Sequence, residues 1–176
     1  MQYQNKKFTN NVNFFSYICV VNIVEVATSQ SYLIEIVPVE KSDFKNLPAD
    51  RYFFDWNEEA AFEIFKLSIK GKDDILGLIS FERIPDEMRI HVRLLTASVE
   101  NVGAAKIYDR IIGNLLTYVA KLAVHDFGEW ACISLRPKTQ IAKHYINKYK
   151  MNITGVTLSL EVPEIFELIE LYDHDN

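Results

Sequence analysis

The stretch FEIFKLSIKGKDDILGLISFERIPDEMRIHVRLLT, residues 62–96, decides the fold. It holds three runs rich in aliphatic, aromatic and β-branched side chains, at 62–69, 75–84 and 88–96, and such runs favour extended backbone. Gly71-Lys72-Asp73-Asp74 and Pro85-Asp86-Glu87 separate them. These residues turn a chain because Gly tolerates positive φ, Pro fixes φ, and Asp bonds its own backbone. Connections this short join strands in antiparallel order, so an antiparallel meander is predicted. In the third run Met88, Ile90, Val92 and Leu94 alternate with Arg89, His91 and Arg93, which predicts one core face and one polar face.

Downstream, the period lengthens to that of a helix. Ile111, Ile112, Leu115, Leu116, Val119, Leu122 and Ala123 share one face, and Gly128 stands where such a helix ends. WACISL (130–135) reads as a short buried strand, and strand–helix–strand implies a parallel, right-handed crossover. A helix over 139–149 follows, with Ile141, Ala142, Tyr145, Ile146 and Tyr149 on its stripe, then a strand over 156–160. The last segment, 164–172, reads as an amphipathic helix carrying Ile165, Phe166, Leu168, Ile169 and Leu171. Its apolar stripe needs cover from its own domain or from a second subunit, so a homodimer is one expectation. Upstream, SYLIEIVPV (31–39) reads as a strand, and Tyr52, Phe53, Phe54 and Trp56 form an irregular aromatic cluster.

Lys6 and Lys7 precede an apolar run over 14–24, which superficially suggests a targeting segment. Asn22 and Glu25 interrupt it, and it is shorter than the roughly 20 residues that cross a bilayer. It is therefore read as a β-rich extension over 1–30, ahead of a domain over 31–162 and a C-terminal helix and tail over 163–176. The 176 residues, 49% of them apolar, suffice for one sizeable core and exclude intrinsic disorder. With 19 basic against 24 acidic side chains, for a formal charge of −5, neither nucleic acid nor an anionic membrane is an expected partner. Cys19 and Cys132 lack metal-ligand spacing. They suit a reduced, cytoplasmic chain with no structural metal, and leave one disulfide open.

The order of strands and helices, with NLLTYVAKLAVHDFGEWACISL (114–135) and KTQIAKHYINKYKM (138–151), resembles the GNAT superfamily of acyl-CoA-dependent N-acyltransferases over about 32–161. Asn101-Val102-Gly103, Tyr108-Asp109, the GNLL of 113–116 and His144-Tyr145 resemble a bacterial GNAT-like group more narrowly. The resemblance implies an α/β (α+β) fold: a mixed central sheet with an antiparallel meander, splayed fourth and fifth strands, and helices on both faces. It implies acetyl-CoA as co-substrate and an amine acceptor, on a small molecule or a protein. The fourth strand's backbone, at Leu95 and Thr96, would hold the pantetheine arm, and the central helix's N-terminus would receive the pyrophosphate, where the dipole favours an anion.

The family signature for that turn is Gln/Arg-x-x-Gly-x-Gly/Ala. Its literal match is Glu100-Asn101-Val102-Gly103-Ala104-Ala105, which makes the helix about six turns long and puts a carboxylate beside the pyrophosphate. The other register, counted back from Leu115-Leu116, runs Ile107-Tyr108-Asp109-Arg110-Ile111-Ile112 and offers Arg110 to the phosphate. Val102, Gly103, Ala104, Ala105 and Arg110 are thus the candidate pyrophosphate residues.

Transfer to an amine needs a base for the ammonium and an acid for the leaving thiolate. The resemblance implies Tyr145 as the acid, with Tyr149 as a second choice, and a buried aromatic explains Tyr145 equally. His91, with an ordinary pKa of about 6.5, and Glu82 are the candidate bases. The cluster at 52–56 reads either as acceptor-pocket lining or as packing of short helices on the sheet. Cys132 reads as a buried thiol, and His125-Asp126 as surface charge. Two functions follow: an N-acetyltransferase working by direct transfer, or a catalytically inactive GNAT-fold binding or regulatory module.

Overall fold

Residues 22–173 are described by the structure, a computed structural model. Residues 1–21 and 174–176, with Cys19, most of the N-terminal extension and the end of the tail, lie outside the described residues. The elements in chain order are β1 (Asn22–Glu25), β2 (Ser31–Pro38), α1 (Ala49–Tyr52), β3 (Glu63–Ile69), β4 (Ile75–Ile84) and β5 (Arg89–Ala97). They continue as β6 (Tyr108–Asp109), α2 (Ile111–Phe127), β7 (Cys132–Leu135), α3 (Thr139–Tyr149), β8 (Asn152–Thr154), β9 (Thr157–Glu161) and α4 (Glu164–Asp173). They build one nine-stranded mixed sheet in the order β6-β1-β2-β3-β4-β5-β7-β9-β8.

The meander forms as predicted, β3 pairing with β4 and β4 with β5 in antiparallel register. One irregularity matters for the site. The register slips between Ser80 and Phe81, so that Ser80 faces Leu94 and Phe81 faces Val92. Arg93 is the extra residue of a β-bulge, and the Ser80 hydroxyl accepts from the Leu94 amide at 3.1 Å. A bulge puts two successive side chains on one face. Leu94 therefore packs against the cluster around Trp56 instead of continuing the face of Ile90 and Val92, a departure from the strict alternation expected.

The sheet divides two cores. On one face α2 brings Leu115, Leu116 and Val119, all fully buried, each worth roughly 1.5–3 kcal/mol. Ile133, Tyr149, Leu160, Ile165 and Leu168 join them. Close approach of α2 to the sheet depends on Gly77, where an ideal Cβ would lie 2.5 Å from Ile111 Cγ2 and 3.0 Å from the Thr96 carbonyl oxygen. On the other face Leu47, Tyr52, Trp56, Ile64, Ile75 and Leu78 form a smaller core. The C-terminal helix finds its cover within its own chain, burying Ile165, Leu168 and Tyr172 while Phe166 and Leu171 of the predicted stripe are exposed.

Candidate functional site

β5 and β7 run parallel and are paired over only four residues, from Arg89 opposite Cys132 to Val92 opposite Leu135. β5 continues to Ala97, so its second half has no partner on that side. The two strands part there, as the splayed fourth and fifth strands of the resemblance require. The candidate residues lie on the two faces of this divergence.

On the face that carries α2, the helix begins at Ile111, and the six-turn helix implied by the register over 100–105 does not form. Val102, Gly103, Ala104 and Ala105 sit in the exposed loop before it. That loop is folded on itself by Asn101, whose amide group donates to Ser98 Oγ at 2.9 Å and whose oxygen accepts from the Tyr108 amide at 2.8 Å. Glu100 turns to the other face, paired with Arg51 at 2.7 Å. The helix start agrees with the later register, although the glycine of its first turn is Gly113, one residue beyond it. Asp109 accepts from the Arg110 amide at 2.7 Å and from Lys106 at 2.8 Å, with Lys148 3.9 Å away. Burial raises the Asp109 carboxyl, but Lys106, the Arg110 amide and Lys148 outweigh it and leave the group below its ordinary pKa.

Arg110 holds a left-handed backbone, φ 77°, which costs a non-glycine residue about 1–2 kcal/mol. Its side chain donates to Asn22 Oδ1 at 3.0 Å and to the Leu171 carbonyl at 3.1 Å, and its guanidinium lies 5.1 Å from the centre of the Tyr172 ring. That ring fills the space beside Gly113, where an ideal Cβ would stand 1.9 Å from Tyr172 Cζ. The Tyr172 hydroxyl interacts with that of Tyr149, whose ring packs 5.8 Å from that of Tyr145. Tyr145 itself is 7% exposed, and burial pushes its hydroxyl up to about 12. It is protonated at neutral pH, as an acid must be, and it also belongs to the core stripe.

On the opposite face, His91 and Glu82 stand directly across from each other on neighbouring strands, so the two candidate bases are brought together. Sequence reasoning did not find the partners that set their roles. The His91 Nδ1 lies 2.8 Å from Ser134 Oγ, and Arg89 donates to the same Ser134 oxygen at 2.6 Å. Arg89 has only donors, and its Nη1 also lies 3.4 Å from His91 Nδ1, so Nδ1 is an acceptor, the Ser134 proton is directed to it, and the neutral imidazole carries its own proton on Nε2. Burial, then Arg89, lowers the His91 pKa against the opposing Glu82. His91 is thereby a hydrogen-bond donor at Nε2, and the Glu82 carboxylate opposite it is 3.5 Å from Arg93. Arg93 also pairs with buried Glu59 at 2.9 Å and lies 3.5 Å from the centre of the Phe62 ring. Glu59 accepts from Ser80 at 2.8 Å.

The aromatic cluster splits. Tyr52 and Trp56 are core, Phe53 is exposed, and Phe54 rests edge-on against Trp56 with Lys138 above its ring. Burial pushes the Cys132 thiol up to about 11, which unfits it as a nucleophile. Among the described residues no cluster of His, Cys, Asp or Glu is arranged to hold a metal ion, and no helix is long and apolar enough to cross a membrane.

No protein-family model matches this sequence, and no curated protein matches it. Solved structures do match. The dodecameric spermidine N-acetyltransferase of Vibrio cholerae superposes with a TM-score of 0.54 at 13% identity, over 73% of this chain and 93% of that one. The PaiA N-acetyltransferase of Thermoplasma acidophilum, in complex with coenzyme A, gives 0.52 at 13% identity, over 72% and 96%. A bacterial toxin gives 0.56 at 9% identity, over 82% and 99%. The chain has the GNAT acetyltransferase fold.

Proposed function

We propose that this chain is an acyl-CoA-dependent N-acyltransferase that passes an acetyl group directly from acetyl-CoA to an amine. The observation that carries the reading is the parting of β5 from β7 after four paired residues, on a fold whose solved examples include acetyltransferases and a coenzyme A complex. In this reading the pantetheine arm runs along the free edge of β5 at Leu95 and Thr96. The pyrophosphate meets the first turn of α2, the amides of Ile111, Ile112 and Gly113 and the Arg110 side chain, with the loop of Val102, Gly103, Ala104 and Ala105 at the rim. A helix start favours an anion through its unpaired amides and dipole.

The acceptor approaches from the opposite face, where Glu82 takes a proton from its ammonium group. The freed amine attacks the thioester carbonyl, a C–N bond forms, and the C–S bond breaks. Tyr145 gives a proton to the thiolate sulfur, and the second proton that the nitrogen sheds as it becomes an amide returns through water to the Tyr145 phenolate, so that, with the Glu82 proton released to solvent, charge and protons balance. His91, a donor at Nε2, serves to orient the acceptor. The acceptor belongs to a small molecule or a protein.

A second reading, an inactive binding module, is favoured by one observation: Tyr172 fills the space beside Gly113. The deciding experiment titrates acetyl-CoA and follows thiol release with a panel of polyamines and peptide N-termini. We expect saturable binding and amine-dependent release, with Glu82→Gln lowering kcat about 10²-fold. Absence of saturation up to millimolar donor, in the full chain and in variants that bare the start of α2, would select the module.

A further inference from the structure

We propose that the last turn of α4 is an intramolecular latch that occupies the donor's pyrophosphate site and must leave before acetyl-CoA binds. The inference rests on the acyltransferase reading and adds a regulation to it. Three features that would receive a pyrophosphate are each already used within the chain. The open flank that a glycine leaves on a helix is filled at Gly113 by the Tyr172 ring. The Arg110 guanidinium, the cation nearest the helix start in sequence, is spent on the Leu171 carbonyl, Asn22 and the face of Tyr172. Lys106 and Lys148 are held by the Asp109 carboxylate, which takes an anion's place on the Arg110 amide.

The attachment of α4 is graded along its length, as a latch requires. Its first turns are anchored by Ile165 and Leu168 in the core, whereas Leu171 is 60% exposed and Tyr172 is the last buried residue. The end is also fastened by polar contacts: Arg110 to the Leu171 carbonyl and Lys121 to Asp173. The Arg110 contact is exposed and exchanges readily for water or for a ligand anion, because such a bond is worth little net in solution. The latch also reaches the candidate acid. Tyr172 interacts with Tyr149, and Tyr149 packs on Tyr145, so release at Gly113 loosens the packing that buries Tyr145.

A donor that binds only the open form has its affinity reduced by the open fraction. If roughly one molecule in ten or fewer is open, freeing the latch tightens CoA binding about tenfold or more. Two variants free it by different routes: Tyr172→Ala removes the plug, and Asp173→Lys sets a cation against Lys121 without opening a cavity. Calorimetric titration with CoA and with acetyl-CoA is expected to give at least tenfold lower Kd for both variants than for the wild-type chain. Hydrogen exchange in the wild type should show the amides of 170–173 losing protection when CoA is added. Equal affinity in all three proteins, with those amides equally protected with and without CoA, would overturn the latch and leave the acyltransferase reading standing. No binding by any of the three would overturn both.

Discussion

The two faces of the β5–β7 divergence are built on opposite plans. Around α2 the candidate donor face is closed by aromatic rings: Tyr172 covers Gly113, Tyr149 interacts with Tyr172, and Tyr145 packs at a tilt beyond. Across the sheet, on the face whose floor is the smaller core of Trp56 and Tyr52, the candidate acceptor face is a lattice of charges, Arg89–Ser134–His91 and Glu82–Arg93–Glu59–Ser80. One face conceals its chemistry behind packing that movement can undo. The other holds its polar groups in place and leaves them partly open to solvent.

If the acceptor-face floor is a true second core, Trp56→Ala should have the largest effect on stability. Trp56 is fully buried and donates to the Tyr52 carbonyl at 3.3 Å, and its truncation is expected to cost about 3–5 kcal/mol. Urea unfolding checks this. A loss below about 1 kcal/mol would mean that the floor collapses around the gap and that the two faces do not share one cooperative fold.

Gly113→Ala tests the donor face with a smaller, localised cost of about 1–3 kcal/mol. The new methyl group meets the far end of the Tyr172 side chain, so the ring should leave and the rest of the core should stay. Hydrogen exchange would then rise over 164–173 while β4 and β5 keep their protection. A variant with unchanged exchange in α4 would show that the contact at Gly113 does not hold the helix end.

The same contrast explains what was legible in the sequence. Periodicity and turn residues gave β4 at 75–84 and α3 at 139–149 with the bounds now found. Those signals are local, since a strand or helix records its burial in its own alternation. The bulge at Arg93 was not legible, because it arises when the Ser80 hydroxyl takes the Leu94 amide from the neighbouring strand. Strand β6 is two residues long and exists only through pairing with β1, so it leaves no pattern. Candidate residues could be named from the sequence, but the contacts that bear on them come from distant positions: Ser134 lies 2.8 Å from His91 Nδ1, and Tyr172 covers Gly113 from 59 positions away. Tyr172 also falls outside the predicted stripe of α4, whose buried line runs Ile165, Leu168, Tyr172.

Glu59→Gln addresses the acceptor-face lattice more gently. The amide preserves shape but weakens the pairing with Arg93, itself about a third exposed, and the bond from Ser80. A loss of about 1 kcal/mol is expected after allowing for solvent screening. The informative readout is Arg93: released from Glu59, it should lean on Glu82, so that Glu82→Gln costs more stability in the Glu59→Gln background than in the wild-type chain. Equal costs in the two backgrounds would mean that the two carboxylates are not coupled through Arg93.

The smallest effect is the sharpest test of the difference between the faces. Burial, then Arg89, keeps His91 below its ordinary pKa of 6.5 in the folded chain. In the unfolded chain the imidazole regains that ordinary value, so below about 6.5 the unfolded state binds a proton that the folded state refuses. Stability should therefore be unaffected by this group above about pH 6.5. It should decline as pH falls from there toward the folded midpoint, and this contribution should change no further at lower pH. Imidazole NMR should show a midpoint below 6.5 and a neutral form protonated on Nε2. Arg89→Met, which removes the second cause of the shift and frees the Ser134 oxygen to accept, should raise the midpoint. Tyr145, at about 12, stays silent over the same range, so between pH 5 and 9 His91 should titrate on the acceptor face while the candidate acid opposite does not. A midpoint above 6.5, or a neutral form protonated on Nδ1, would return His91 to the bases and remove the reason for assigning that role to Glu82 alone.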